Sequence, residues 1–388
     1  MNPIRIEPTG PGIYVHVPFC AHACDFCAFY QVEPRKSDIE RYLDTIAREF
    51  ALAGGALKFD TAFWGGGTPG LLSARDLERL GRLQVDVFGP PMSEWTIELA
   101  PGSVREEKLR VLKDLGVTRV SLGVQSLDEK TLEALGRRHS VAQIEKAWAA
   151  IEKAGFPSRN LDLIFATPGQ SLAGWMADLD AAIAMRPDHI STYCLTFEED
   201  TAMFVRLSEG RVSLDVERER EFYEATWSHL GASGFFQYEI SNFARPGHAC
   251  LHNINTWRMG EWWGFGPSAA SQAGGSRGSN ASDLELWRAD VAQGKRAQLE
   301  GSVLTPARLA EDAIIFGLRM NAGIDLAGLR ARFAAAAVDV FQTQLDELVA
   351  QGLAQRSGKA GIVLSDAGRI VADAIGAEFV GAADEARA

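Results

Sequence analysis

Between residue 13 and about residue 240 the chain alternates short apolar runs with amphipathic ones, and this alternation restricts it to a parallel sheet flanked by helices. The strand candidates span residues 13–18, 61–64, 95–99, 119–124, 160–165 and 189–195. Each is rich in β-branched or aromatic residues and bounded by glycine, proline or polar residues. Between them lie helical patterns. Residues 37–40 read as a capping box opening a helix whose apolar face carries Ile39, Tyr42, Leu43 and Ile46. Ser140 precedes a run through Ile144, Trp148 and Ile151 that stops at Gly155. Six such units fall short of the eight that close a full (β/α)8 barrel.

The texture changes near residue 245. Residues 245–282 are rich in Gly, Ser, Trp and His and show little periodicity. Thr305 followed by Pro306 then marks a new helix start. Helices are expected over 306–320, 325–333 and 338–352, a short strand over 361–365, and a last helix from Asp366. Three helices with a β wing make a small winged-helix-like module, read here as a docking or lid element. The expected division is 1–245, 246–304 and 305–388, with disorder after Gly381. A net charge of −12 gives no basic field for a nucleic-acid partner. Residues 1–10 carry no signal-peptide pattern, and no run of apolar residues is long enough to span a membrane. Five cysteines, most of them clustered, suit a reducing cytoplasm better than a disulfide framework.

Three of those cysteines, Cys20, Cys24 and Cys27, fall on the loop after the first strand as Cys-x3-Cys-x2-Cys. Three thiolates on a tight loop can hold three irons of a [4Fe-4S] cluster and leave the fourth open. A structural zinc site would ask for a second knuckle pair, which the sequence lacks. Gly65, Gly66 and Gly67, before Thr68 and Pro69, end the second strand, and glycines there let backbone groups approach a ligand. Glu98, Gln125 and Asp162 sit at the ends of three successive strands. Buried carboxylates are costly unless partnered. A structural polar group tied to a nearby loop is one reading of each; together they fit convergence on one polar ligand better. Arg137 could clamp a carboxylate, whereas Arg138 beside it reads as solvated.

Taken in order, Tyr14 to Cys20 with Cys24 and Cys27, the turn at residues 65–69, the run from Ser121 through Gln125 to Ser126, the run from Asn160 through Asp162, and the run from Tyr238 to Asn242 resemble radical S-adenosylmethionine (SAM) proteins. The likeness covers roughly residues 12–365. It is to the branch related to oxygen-independent coproporphyrinogen III oxidase, and within it most to the heme chaperone family HemW. The resemblance implies a partial (β/α)6 barrel with a small, mainly helical C-terminal domain. It implies that Cys20, Cys24 and Cys27 hold the cluster, and that SAM chelates the open iron. Tyr14, Gly66, Gly67, Thr68, Glu98, Gln125, Arg137 and Asp162 would line the SAM pocket.

The chaperone branch also carries a His-Asn-x-x-Tyr-Trp heme signature, which here runs from His252 and Asn253 to Thr256 and Trp257. By this resemblance His252 ligates heme iron and Trp257 stacks on the macrocycle; Thr256 stands in place of the tyrosine. His248, Cys250 and His252 are spaced two apart, so an extended segment would point all three the same way. The function implied is transfer of heme to an acceptor hemoprotein, which a membrane could hold, by a monomer or a cluster-dependent dimer. The alternatives are the oxidase itself or another radical-SAM enzyme of the branch, such as a methyltransferase. Against the oxidase, Phe29 occupies the place of its fourth cysteine, and only 13 residues precede Tyr14. The chain also departs from the chaperone pattern at Ala28, Leu251 and Ala270.

Overall fold

The computed structural model describes residues 10–54, 57–296 and 303–381. The leader reading of residues 1–9 and the disorder expected beyond Gly381 lie outside the described residues. The six expected strands are present as β1 (Gly12–Val17), β2 (Thr61–Gly66), β3 (Glu94–Leu99), β4 (Arg119–Gln125), β5 (Ser158–Phe165) and β6 (His189–Cys194). They pair in parallel in that order. Helices α1 (Lys36–Ala53), α2 (Ala74–Phe88), α3 (Glu106–Leu115), α4 (Glu129–Ala134), α5 (Val141–Ala154) and α6 (Leu172–Ala184) make the crossovers, and α7 (Ala202–Ser208) and α8 (Val216–Ala232) follow β6.

Helix boundaries follow local chemistry. The Ser140 hydroxyl accepts from Gln143 N–H, and Gly155 ends α5 in the left-handed region at φ 68°. In α1 the expected cap at Ser37 is displaced: the helix already runs from Lys36, and the Asp38 carboxylate accepts the Arg35 N–H at 3.2 Å.

Period-two alternation divides the strands into two unlike faces. Val15, Trp64, Ile97, Val120 and Leu161 point outward and are fully buried in one core with Leu43, Ile46, Leu80, Leu112, Ile144 and Leu179 of the helices. The inner face is polar: Glu94, Thr96 and Glu98 on β3, Arg119 and Ser121 on β4, Asn160 and Asp162 on β5, His189 and Ser191 on β6. Hydrogen bonds along this face join Ser121 to Asp162, Asn160 to Asp162 and Ser191, and His189 to Asn160.

The segment 245–282, which shows little periodicity in sequence, contributes several elements. After β7 (Phe236–Glu239) and β8 (Asn242–Ala244) come α9 (Leu251–Trp257), β9 (Trp262–Phe265), β10 (Ala270–Ala273), β11 (Ser276–Ser279) and α10 (Leu284–Ala292). Strand β9 adds in parallel to the free side of β1, giving, among the described residues, an eleven-stranded sheet that ends at β11 and β7 and does not close. These strands are only four residues long and depend on distant partners. Gly264 lies against the Ala270 backbone where a Cβ would collide.

A separate core lies in the C-terminal region, among α11 (Pro306–Arg319), α12 (Leu326–Phe333), α13 (Ala335–Asp339), α14 (Gln342–Ala350), α15 (Asp366–Ile370) and α16 (Ala372–Phe379). Strands β12 (Ile324–Asp325), β13 (Ala354–Ser357) and β14 (Gly361–Leu364) form its wing. The single helix expected over 338–352 is split by a break at Val340 and Phe341. Among the described residues no helix is long and apolar enough to cross a membrane.

Candidate functional site

The three cysteines hang from the C-terminal end of β1, and the loop is tied down by backbone bonds. Val32 N–H donates to the Pro18 carbonyl at 2.7 Å, Cys20 N–H to Val32 at 3.0 Å, and Cys27 N–H to Cys24 at 3.2 Å. Asp25 anchors its middle through an ion pair with Arg206, and its carbonyl accepts Met203 N–H. All three thiols are half-buried. Cys20 Sγ lies 3.4 Å from the Thr68 hydroxyl, and Arg137 Nη1 donates to Cys24 Sγ at 3.0 Å. Burial pushes the Cys20 and Cys27 thiols up, so a bound cation would be needed to hold them as thiolates. Among the described residues no three His, Cys, Asp or Glu side chains gather around a single-ion position, these thiols included.

The glycine turn docks directly on this loop. Gly67 N–H donates to Val17 at 2.9 Å and Thr68 N–H to Phe19 at 2.7 Å. A Cβ on Gly67 would meet those same two carbonyls at 2.7 and 2.8 Å, and Gly66 has φ 99° with the His16 ring against it. Gly66 N–H donates to Glu98 Oε2 at 3.2 Å. Arg137 reaches from its sulfur contact to the Gly123 carbonyl at 2.8 Å. Gln125 takes φ 71° where β4 breaks register with β5, a costly conformation for a non-glycine residue. Tyr14 meets His16 Nδ1 at 3.2 Å. Tyr14, Gly66, Gly67, Thr68, Glu98, Gln125, Arg137 and Asp162 thus lie on the inner face or at its cysteine end. Arg138 is exposed.

Glu98 and Asp162 keep part of their surface open to the interior yet lie deep beneath the surrounding protein. Burial, reinforced by the Asp162 carboxylate, pushes Glu98 up to about 8, and burial raises Asp162 as well. A carboxyl raised on folding contributes stability that is intact below its unfolded value near 4.5 and lost as pH rises through about 8. Glu98→Gln is therefore expected to flatten the fall in thermal midpoint of the ligand-free protein over that window. An unchanged slope would show that Glu98 does not titrate there.

At the opposite end of the strands, α9 closes the inner face. Glu94, 7% exposed, accepts Leu251 and His252 N–H at 3.1 Å each and the Cys250 thiol at 3.4 Å. The buried Arg119 guanidinium feels both Glu94 and Cys250. His189 bridges Asn160 at 2.6 Å and the Tyr238 hydroxyl at 2.8 Å. Sequence reasoning missed this floor. Its signal was present, since Glu94 and Arg119 stand in phase with Glu98 and Ser121.

The floor changes the picture of His252, Cys250 and His248. Cys250 caps a helix, so the three are not aligned as an extended segment would align them. His252 is 6% exposed, with Nδ1 3.0 Å from Thr61 Oγ1 and its ring 5.3 Å from that of Phe63. Burial lowers its pKa to about 4 and keeps the imidazole neutral. Trp257, at the other end of α9, faces the C-terminal region, with Phe316 at 5.7 Å and the Arg319 guanidinium 5.2 Å from its ring centre. The structure does not bring His252 and Trp257 together.

Residues 14–182 match the radical SAM superfamily and residues 304–371 the HemN C-terminal domain. With the open α/β sheet and the cysteine loop, these matches define a radical SAM protein, a class whose cofactors are SAM and a [4Fe-4S] cluster. Heme chaperone HemW of Bacillus subtilis (strain 168) is 30% identical over 374 residues, covering 95% of this chain and 98% of that one. HemW of Mycobacterium tuberculosis (strain H37Rv) is 34% identical over 377 residues, 94% and 93% of the two chains. HemW of Escherichia coli (strain K12) is 33% identical over 362 residues, 90% and 92%. The chain belongs to the heme chaperone HemW family. Among solved structures, coproporphyrinogen III oxidase (HemN) from Escherichia coli shares the fold, with a TM-score of 0.80 over 97% of this chain and 92% of that one at 23% identity.

Proposed function

We propose that this chain is a heme chaperone that carries a [4Fe-4S] cluster on Cys20, Cys24 and Cys27, binds SAM beside it, and passes heme to an acceptor hemoprotein. The observation that carries this reading is the likeness, over nine-tenths or more of both chains, to the HemW proteins above. The oxidase reading rests on a shared fold at 23% identity. In this chain Phe29, 68% exposed, stands where the oxidase pattern has its fourth cysteine.

The residues present fit the two cofactors. A cluster with one open iron supplies a chelating position for the amine and carboxylate of SAM. Thr68 and Arg137 present donors to the Cys20 and Cys24 sulfurs. Gly66 and Gly67 leave backbone clear where a Cβ could not sit. Glu98, Gln125 and Asp162 offer polar groups on successive strands, and Tyr14 walls the pocket from β1. Five free thiols suit a reducing cytoplasm, from which an acceptor in a membrane could be met. In this reading His252 binds the iron of the cargo through Nε2 while Nδ1 stays on Thr61, and the packing around its 6%-exposed ring has to open to admit the iron.

An anaerobic hemin titration of cluster-reconstituted protein, beside His252→Ala, tests the function through the Soret band retained after gel filtration. Stoichiometric heme on the unmodified chain is expected, with an altered or lost band in the variant. No retention by the unmodified chain would overturn the chaperone reading.

A further inference from the structure

The residues that the family signature offers to heme are already engaged within the chain. His252 is packed on Phe63, and Trp257 is covered by Arg319 and Phe316. A cargo as large and apolar as heme needs a wall to lie against. A cavity of about 440 Å³ opens where the chain leaving α9 and the β10–β11 turn meet α11 and α12. That volume falls within the ~300–1,000 Å³ usual for small-molecule sites.

Its walls are Met259, Pro306, Leu309 and Phe333, with Gln272 and Arg332 as polar groups. The Met259 sulfur already lies 3.6 Å from Gln272 Nε2 and 3.9 Å from Arg277 Nη2, which leaves it to pack rather than to ligate. Arg332 gives one N–H to the Arg258 carbonyl at 2.9 Å and another to Met259, two of its five donors. Its guanidinium lies 4.8 Å from the Phe333 ring centre, which places fixed positive charge beside an apolar wall. The Glu261 carboxylate, also at this cavity, accepts Gly274 N–H at 2.8 Å. Met259 and Ala334 both line the cavity at positive φ, 54° and 72°, a conformation that costs free energy in a residue with a side chain.

We propose that this slot, between the chain leaving α9 with the β10–β11 turn and the C-terminal region, grips the macrocycle of the cargo, with Arg332 taking a propionate. Its lining of Met259, Pro306, Leu309 and Phe333 beside one guanidinium suits an apolar molecule that carries a carboxylate, a tetrapyrrole in chemical class. This rests on the chaperone reading and adds a site to it. The slot supplies no iron ligand, so it holds the ring independently of the metal.

That independence gives the test. Hemin and metal-free protoporphyrin IX are titrated into the cluster-reconstituted full chain and into Leu309→Trp, which fills the slot from a half-buried position, and Arg332→Met, which removes the charge. Cluster absorbance and gel-filtration volume serve as folding controls. The unmodified chain is expected to bind both molecules. Leu309→Trp should weaken both at least tenfold, and Arg332→Met should weaken both severalfold. His252→Ala should change the hemin spectrum. Unchanged protoporphyrin affinity in both slot variants, with hemin still bound by the parent, would overturn the slot and leave the chaperone reading standing. A parent that binds neither molecule would overturn both.

Discussion

Replacing Cys20, Cys24 and Cys27 together by serine is expected to abolish the broad visible absorbance of the reconstituted protein and its bound iron and sulfide. The physical reason is ligand number. In the proposed function three thiolates from one loop are the whole protein contribution to the cluster, and a hydroxyl is a poor substitute for a soft sulfur ligand. The other two cysteines do not compensate: Cys194 lies at the end of β6, and Cys250 is buried at the far end of the sheet. Both are held as thiols, pushed up to about 12, Cys194 mainly by burial and Cys250 by burial and the adjacent Glu94. A cluster that binds only the folded chain stabilises it by mass action, so the triple variant should also unfold more easily than reconstituted parent. Iron and sulfide retained at the parental level would show that other groups hold the cluster.

Glu94→Ala is expected to produce the largest loss of stability of any single change at the floor. The carboxylate satisfies two backbone N–H groups at the start of α9 and the Cys250 thiol, and it balances a buried Arg119. Alanine leaves those donors unsatisfied and the guanidinium without its neighbouring charge, a combination costing ~3 kcal/mol or more. Glu94→Gln keeps one acceptor oxygen and should lose less. Urea unfolding measures the difference, and amide hydrogen exchange at residues 251–257 reports whether α9 has let go. A Glu94→Ala midpoint equal to the parent's, with protection of α9 intact, would show that the floor does not depend on this carboxylate.

Much of this architecture is legible in the sequence, and the exceptions share a cause. The six parallel strands stand out because Val15, Trp64, Ile97, Val120 and Leu161 belong to short runs bounded by turn residues. The cysteine loop stands out because three of five thiols fall within eight residues. Glu98, Gln125 and Asp162 are conspicuous as polar residues at strand ends. Strands β9 to β11 escape notice because four residues carry almost no periodic signal, and their pairing comes from β1 at the other end of the chain. The alignment expected for His248, Cys250 and His252 fails for a similar reason. A carboxylate 156 residues before Cys250 turns that segment into a capped helix. Trp257 meets Phe316 and Arg319, from a helix that the local sequence does not reveal as its neighbour.

The position of β1 has a consequence for how the chain comes into being. Among the described strands this one is made first, yet in the sheet it lies between β2 and β9, and β9 arrives about 250 residues later. Until Trp262–Phe265 has been made, one side of β1 carries an unpaired ladder, the kind of edge that recruits other strands. The long wait also places this pairing among the slow, non-local steps of folding. A nascent or truncated chain ending before residue 262 would therefore present its cysteine loop on a half-supported strand. Chains truncated before residue 262 are therefore expected to take up less iron and sulfide than the full chain, and equal loading would show that β2 alone supports the loop.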